Sequence, residues 1–233
     1  MTRCVALIPA AGTGSRLGDN CPKQYLSLLG KPVLAYSIEV LASHPRISSV
    51  FVAISPEDNW FERFDWNVSG AQLQECRVGG ATRSQSVANG LEAMGDEVGT
   101  DDWVLVHDAA RPCLSGELLD RLVQGVGDDD VGGLLATRVA DTLKSAGGND
   151  RVTDTRPREG LWAAQTPQMF RRALLQRALS EAASETLTDE SSAIERIGLQ
   201  PMLIESDAMN LKVTFPGDLQ LAEMILEARK DDQ

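Results

Sequence analysis

The stretch Cys4-Val5-Ala6-Leu7-Ile8-Pro9-Ala10-Ala11-Gly12-Thr13-Gly14-Ser15-Arg16-Leu17-Gly18 joins a short apolar run to a loop of small residues. Cys4–Pro9 has the length and β-branched content of a buried strand. The loop after it lets the backbone approach a ligand closely and turn N–H groups toward phosphate oxygens. A tight turn that needs glycine for its backbone angles is the alternative reading. The surroundings favour the phosphate: from Ala10 to Lys31 the cations Arg16, Lys23 and Lys31 outnumber the single acid Asp19, in a chain of net charge −12.

Further apolar runs at Ser49–Ile54, Trp103–His107 and Val131–Thr137 read as strands of the same sheet. Between them, Val33–Ser43, Ser84–Met94 and Glu117–Gln124 space their apolar residues as helices packed on a sheet do. This alternation predicts a Rossmann-like, doubly wound, mostly parallel α/β sheet in a single domain over 1–233. Helices are also expected at Arg171–Ala183, Glu190–Ile197 and Pro216–Arg229, with a strand at Pro201–Glu205. Over 137–160 the Gly147-Gly148-Asn149 turn signal suits a protruding β-hairpin arm, and an ordinary surface loop equally. Doubly wound sheets bind ligands at the carboxyl ends of their strands, which directs attention to Pro9–Gly18, Ser55 and His107–Pro112.

Two familiar phosphate loops do not fit. A Walker loop needs Gly-Lys followed by Ser or Thr, whereas Gly18 precedes Asp19. The dinucleotide fingerprint needs Gly-x-Gly-x-x-Gly, but Gly12, Gly14 and Gly18 are spaced one residue too widely, and Glu39 lies in a helical pattern rather than at the end of a second strand. A dinucleotide oxidoreductase is therefore a weak reading. The acidic balance argues against nucleic acid or anionic membranes as partners. Four cysteines without a Cys-x-x-Cys pair and two histidines argue against structural zinc or a disulfide framework. The absence of a leader pattern and of any run near the ~20 apolar residues of a membrane span leads us to expect a cytoplasmic protein.

Gly12-x-Gly14-Ser15-Arg16-Leu17 followed by Pro22-Lys23 resembles the signature loop of the sugar-phosphate nucleotidyltransferases. Three more segments narrow the resemblance: Val106-His107-Asp108-Ala109-Ala110-Arg111-Pro112, Asp141-Thr142-Leu143-Lys144, and Leu161-Trp162-Ala163-Ala164-Gln165-Thr166-Pro167-Gln168. With Thr188-Asp189-Glu190 and Asn210-Leu211-Lys212-Val213-Thr214, they are similar in order and content to the 2-C-methyl-D-erythritol 4-phosphate cytidylyltransferases of the non-mevalonate isoprenoid pathway. The resemblance implies attack of an acceptor phosphate on the α-phosphorus of CTP, with release of pyrophosphate. Such transfer is positioning and charge stabilisation, so it requires cations, a metal-binding carboxylate and backbone donors rather than a Ser-His-Asp relay.

The same resemblance assigns roles. Arg16, Lys23 and Lys212 are the expected catalytic cations; for each, a solvated surface charge is the alternative. Pro9, Ala10, Ala11, Gly12, Gly14, Ser15, Gly80, Ser86, Asp108 and Ala109 are expected to bind CTP, with Ala11, Gly80 and Ser86 near the base. Ala81 departs from the polar or acidic residue many relatives carry: with a backbone contact there the change is harmless, and with a side-chain contact cytosine preference weakens. Asp108 closes a strand and is the expected ligand of Mg²⁺ or another divalent cation, with a helix-capping aspartate as the alternative. His107, on the opposite strand face, is read as structural.

Acceptor binding falls to Arg111, Thr142, Arg158, Thr188 and Lys212, a mixture of cations and hydroxyls suited to a phosphate dianion. Family resemblance places Arg158 on an arm exchanged across a homodimer; a solubilising loop charge is the other reading. A cytidylyltransferase acting on another polyol phosphate, such as ribitol 5-phosphate, and a noncatalytic nucleotide-binding module are the competing functions. Retention of Arg16, Lys23, Asp108 and Lys212 weighs against the second.

Overall fold

A computed structural model describes residues 3–12, 21–66, 68–182 and 186–231. In chain order the elements are β1 (Cys4–Pro9), β2 (Ser27–Leu28), β3 (Lys31–Pro32), α1 (Val33–Ser43), β4 (Ile47–Ala53), β5 (Gln72–Cys76), α2 (Arg83–Ala93), β6 (Trp103–Val106), α3 (Gly116–Val126), β7 (Gly132–Arg138), β8 (Leu143–Ala146), β9 (Val152–Arg156), β10 (Trp162–Arg171), α4 (Arg172–Glu181), α5 (Glu190–Arg196), β11 (Met202–Glu205) and α6 (Pro216–Asp231).

Successive side chains of a strand point to opposite faces, so a strand covered on both faces must be apolar throughout. β1 meets this condition. Cys4, Ala6 and Ile8 pack with Leu34, Ile38 and Leu41 of α1 and Leu118, Leu119 and Leu122 of α3. Val5 and Leu7 turn the other way, to Val87 and Leu91 of α2, Leu175 of α4 and Ile194 of α5. Each leucine or isoleucine buried in this way contributes about 1.5–3 kcal/mol. A Cβ built on Gly90 would stand 2.7 Å from Leu7 Cδ1, so the missing side chain is what lets α2 close onto β1.

The strands run in the order β11-β7-β10-β6-β1-β4-β5. All neighbours are parallel except β10, which is antiparallel to both β6 and β7. The mostly parallel, two-sided α/β sheet expected from the sequence is the fold, with one reversed strand near its centre. Where β10 slips its register on β7, between Ala164 and Gln168, the chain bulges through Gln165, Thr166 and Pro167. Bulges re-aim side chains beside functional sites. Residues 143–156 form a hairpin rather than an open loop: β8 pairs with β9, and its turn is closed by Gly147 N–H donating to the Arg151 carbonyl at 3.0 Å. All five β9 residues are exposed. Among the described residues, no helix is long and apolar enough to cross a membrane.

Three helix starts fix the approach to the sheet's carboxyl edge. Thr82 caps α2 by accepting from Gln85 N, Ser115 caps α3 by accepting from Leu118 N, and Asp189 caps α5 in a reciprocal box with Ser192.

Candidate active site

Two clefts adjoin at the carboxyl ends of β1 and β6. The larger, about 460 Å³, is lined by Pro9–Gly12, Lys23, Gln24, Gly80, Arg83, Ser86, Asp108, Ala109 and Lys212 among others. The smaller, about 220 Å³, is bordered by Arg111, Gln165, Thr166, Gln168, Thr188 and Asp189. Arg83, Asp108 and Lys212 line both. They form the seam between the clefts.

On the first cleft's wall, the Gln24 amide, 3 % exposed, donates to the carbonyls of Ala10 at 2.7 Å and Gly12 at 3.0 Å. This pins the start of the glycine-rich loop. Gly14, Ser15 and Arg16 lie outside the described residues. A Cβ on Gly79 would fall 2.2 Å from Ala11 Cβ, so only glycine lets the chain after β5 pass this close to the loop. Gly80 N–H donates to Ser86 Oγ at 3.0 Å, and the Ser86 hydroxyl donates to the Thr82 carbonyl at 2.9 Å. Ala81 N–H donates to Gln85 Oε1 at 3.0 Å. These two N–H groups are thus committed internally, and both residues border the cleft. Lys23 Nζ reaches the Val213 carbonyl at 3.3 Å, beside Lys212.

Asp108 organises the seam. Its Oδ1 accepts from Arg83 Nε at 2.8 Å, and its Oδ2 faces Lys212 Nζ at 2.7 Å and Arg111 Nε at 3.7 Å. Burial alone would favour the protonated acid, but Arg83 and Lys212 outweigh it and hold the carboxyl well below the usual carboxylate range. Burial likewise opposes the charge on Arg83; Glu190 and Asp108 reverse this and raise its pKa. Arg111 sits lower than an ordinary arginine, chiefly because it is buried.

Lys212 arrives from far along the chain because residues 206–213 are tied to the bulge of β10. Asn210, fully buried, donates from Nδ2 to Gln165 Oε1 and to the Thr166 carbonyl, each at 2.9 Å. Its own carbonyl accepts from Arg111 Nη1 at 2.7 Å, and Val213 N–H donates to the Ala110 carbonyl at 2.8 Å. Gln165, Asn210 and Thr166 act as the mount on which Lys212 and Arg111 stand.

His107 contributes more than filling. The Arg111 carbonyl, 3.2 Å from Nε2, only accepts, so Nε2 carries the proton. Nδ1 therefore accepts from the Thr166 hydroxyl at 3.1 Å, and Thr166 Oγ1 in turn accepts from Asp108 N–H at 3.0 Å. Burial pushes the His107 pKa down to about 4 from 6.5. Between those values the unfolded chain binds a proton that the folded chain refuses, so stability falls as pH drops from about 6.5 to about 4, by up to roughly 3 kcal/mol. His107→Asn should flatten this slope in urea unfolding series across that range; an unchanged slope would exclude His107 as its source.

Of the residues singled out from sequence, Pro9, Ala10, Ala11, Gly12, Lys23, Gly80, Ser86, Asp108, Ala109 and Lys212 meet around the larger cleft, and Arg111 and Thr188 join Lys212 around the smaller. Thr142 and Arg158 are exposed and line neither; Arg158 instead donates to the Ala140 carbonyl. Gln24, Arg83 and Glu190 carry no signal in the sequence that marks them for the site. Arg83 follows β5, a polar edge strand whose Gln-Leu-Gln-Glu-Cys pattern hides a further carboxyl end at which to search.

The carboxyl edge of the sheet thus carries a cation-rich seam between a large and a small cleft, a setting suited to two phosphate-bearing substrates. Residues 4–228 match the model of the IspD family, 2-C-methyl-D-erythritol 4-phosphate cytidylyltransferase. The chain belongs to this family. It is 54 % identical over 230 residues to the 2-C-methyl-D-erythritol 4-phosphate cytidylyltransferase of Dechloromonas aromatica, covering 99 % of this chain and 100 % of that one. Identity to the Nitrosospira multiformis protein of the same name is 55 % over 229 residues, covering 97 % and 99 %. The crystal structure of the Francisella tularensis enzyme superposes with a TM-score of 0.83 at 35 % identity, covering 96 % of this chain and 100 % of that one.

Proposed function

We propose that the two clefts divide the substrates of the family's reaction, with CTP in the larger and the acceptor in the smaller. The chain is a cytidylyltransferase: it transfers CMP from CTP to 2-C-methyl-D-erythritol 4-phosphate, giving 4-diphosphocytidyl-2-C-methyl-D-erythritol and pyrophosphate. A phosphate oxygen of the acceptor forms the new bond to the α-phosphorus as the bond to the β-phosphate bridge breaks, and pyrophosphate leaves with that electron pair. The observation carrying the assignment of clefts is that Arg83, Asp108 and Lys212 border both, so the reacting phosphates meet at one cationic wall.

Arg16, Lys23 and Lys212 neutralise the charge that builds on the α-phosphate as it becomes five-coordinate. Backbone groups at Gly80 and Ala81, on the lining of the larger cleft, read the exocyclic amine of cytosine, so that a polar side chain at Ala81 is not required. Arg111 and Thr188 hold the acceptor phosphate. Thr142 and Arg158, absent from this chain's own clefts, serve the neighbouring site if the β8–β9 hairpin crosses a two-fold homodimer, the arrangement we favour. We place the reaction in the cytoplasm.

A divalent metal fits the seam on one condition. Asp108 has spent two of the roughly four lone-pair positions of a carboxylate on Arg83 and Lys212, and so retains room for a cation. Among the described residues, no group of three His, Cys, Asp or Glu side chains could hold an ion. Mg²⁺ therefore suits the site as a companion of the triphosphate, with Asp108 as its protein ligand and phosphate oxygens as most of the rest. When bound, it screens the repulsion between the triphosphate and the incoming phosphate.

The experiment is an acceptor panel. With Mg²⁺ and CTP, pyrophosphate should form when 2-C-methyl-D-erythritol 4-phosphate is added and cease when the metal is chelated. Faster turnover of ribitol 5-phosphate would overturn the acceptor, and silence with every polyol phosphate would overturn the reaction.

A further inference from the structure

Glu190 lines neither cleft, yet it is 1 % exposed and both of its oxygens are engaged by one side chain. Arg83 Nη1 donates to Oε1 at 2.6 Å and Nη2 to Oε2 at 3.0 Å. The third nitrogen of the same guanidinium, Nε, holds Asp108 Oδ1 at 2.8 Å, and Asp108 Oδ2 holds Lys212 Nζ at 2.7 Å. Charges thus alternate along a chain from α5, through α2 and the end of β6, to Lys212.

The geometry of the fork gives Glu190 a purpose. A guanidinium prefers to meet a carboxylate through two parallel N–H bonds. Glu190 occupies the Nη1/Nη2 edge, which leaves Asp108 the Nε side and keeps Oδ2 for Lys212. Without the Glu190 charge, Arg83 is free to turn and grip Asp108 through two nitrogens, competing with Lys212 for its partner. The ammonium then loses its fixed place on the seam. Arg83 starts α2, whose first turn packs against Gly80, and Glu190 starts α5, immediately after Thr188 and Asp189 of the smaller cleft. The pair therefore also joins the nucleotide-side helix to the acceptor-side helix.

We propose that Glu190 is a positioning residue for cytidylyl transfer, fixing Arg83 so that Asp108 holds Lys212 at the seam between the two clefts. This rests on the assignment of Lys212 to the transferred phosphate. A purely structural pair would also be buried and would also stabilise the fold, so the test must separate the two.

A double-mutant cycle between Glu190→Gln and Lys212→Ala does so. Glu190→Gln alone should lower kcat about tenfold or more while KM for CTP changes less than about threefold. In the Lys212→Ala background the same change should cost less than about twofold in kcat, because the group it positions is gone, whereas the lowering of Tm should persist in both backgrounds. Costs in kcat that multiply, or a Glu190→Gln enzyme with wild-type kcat, overturn the proposal. If Glu190→Gln does not fold, the identical cycle with Glu190→Asp, whose carboxylate stands one methylene short of the Nη1/Nη2 edge and so no longer holds both nitrogens, decides by the same criteria. Near-normal kcat in Lys212→Ala alone would sink the underlying assignment instead, which keeps the two failures distinct.

Discussion

Lys212→Ala is expected to lower kcat by roughly 10²–10³-fold, the cost of removing one preorganised donor from a developing phosphate charge. The loss should fall on kcat more than on KM, because the ammonium is held at 2.7 Å by Asp108 at the meeting point of the clefts rather than deep in either. The side chain is 40 % exposed, so its removal leaves no cavity and the fold should be preserved. Asp108, still held by Arg83, keeps a charge partner. Steady-state pyrophosphate release, read beside thermal unfolding, checks both parts. A variant that turns over within about threefold of the parent would remove Lys212 from the catalytic set.

Asp108→Asn should be the more damaging change to the protein as a whole. The replacement keeps the volume and discards the charge that Arg83, Arg111 and Lys212 share. Breaking a fully buried pair from one side costs about 3–5 kcal/mol. Here Arg83 and Lys212 are 27 % and 40 % exposed, so water recovers part of the loss and about 2–4 kcal/mol is the expected destabilisation. CTP brings the missing negative charge. Nucleotide should therefore raise the Tm of Asp108→Asn by more than it raises that of the parent, while kcat falls because Arg83 and Lys212 lose the group that separates them. Equal nucleotide-induced shifts in calorimetry would mean that the triphosphate does not lie against this seam.

Periodicity and residue type sufficed for β1 and α1, whose limits in the sequence and in the structure coincide, because both are buried against the sheet's centre and carry uninterrupted apolar patterns. The apolar run Ser49–Ile54 marks β4 two residues late, since Ser48 separates Ile47 from the rest of a strand that spans Ile47–Ala53. β10 was not visible as a strand. Its segment carries Gln165, Thr166, Pro167 and Gln168, a polar interruption that breaks any period-two reading, and the interruption is the bulge that serves the site. Strand ends and local charge direct attention to the glycine-rich loop, Asp108 and Arg111, while the roles expected of them come from the family resemblance. Arg83 and Glu190 are not so marked, since an arginine paired with a buried carboxylate over a long sequence separation has no local signature.

The reversal of β10 also bears on the order in which a nascent chain becomes competent. β10 sits between β6 and β7, although both are synthesised before it. Until it inserts, β7 and β11 have no route onto the sheet, and the bulge that mounts Asn210 does not exist. Such late, non-local pairing is slow compared with helix formation. β1, β4 and β6 precede β10 in the chain, but a chain still lacking its last third carries no Lys212 against Asp108. Translation thus delivers every other residue of the larger cleft's lining, Pro9 to Ala110, before it delivers Lys212.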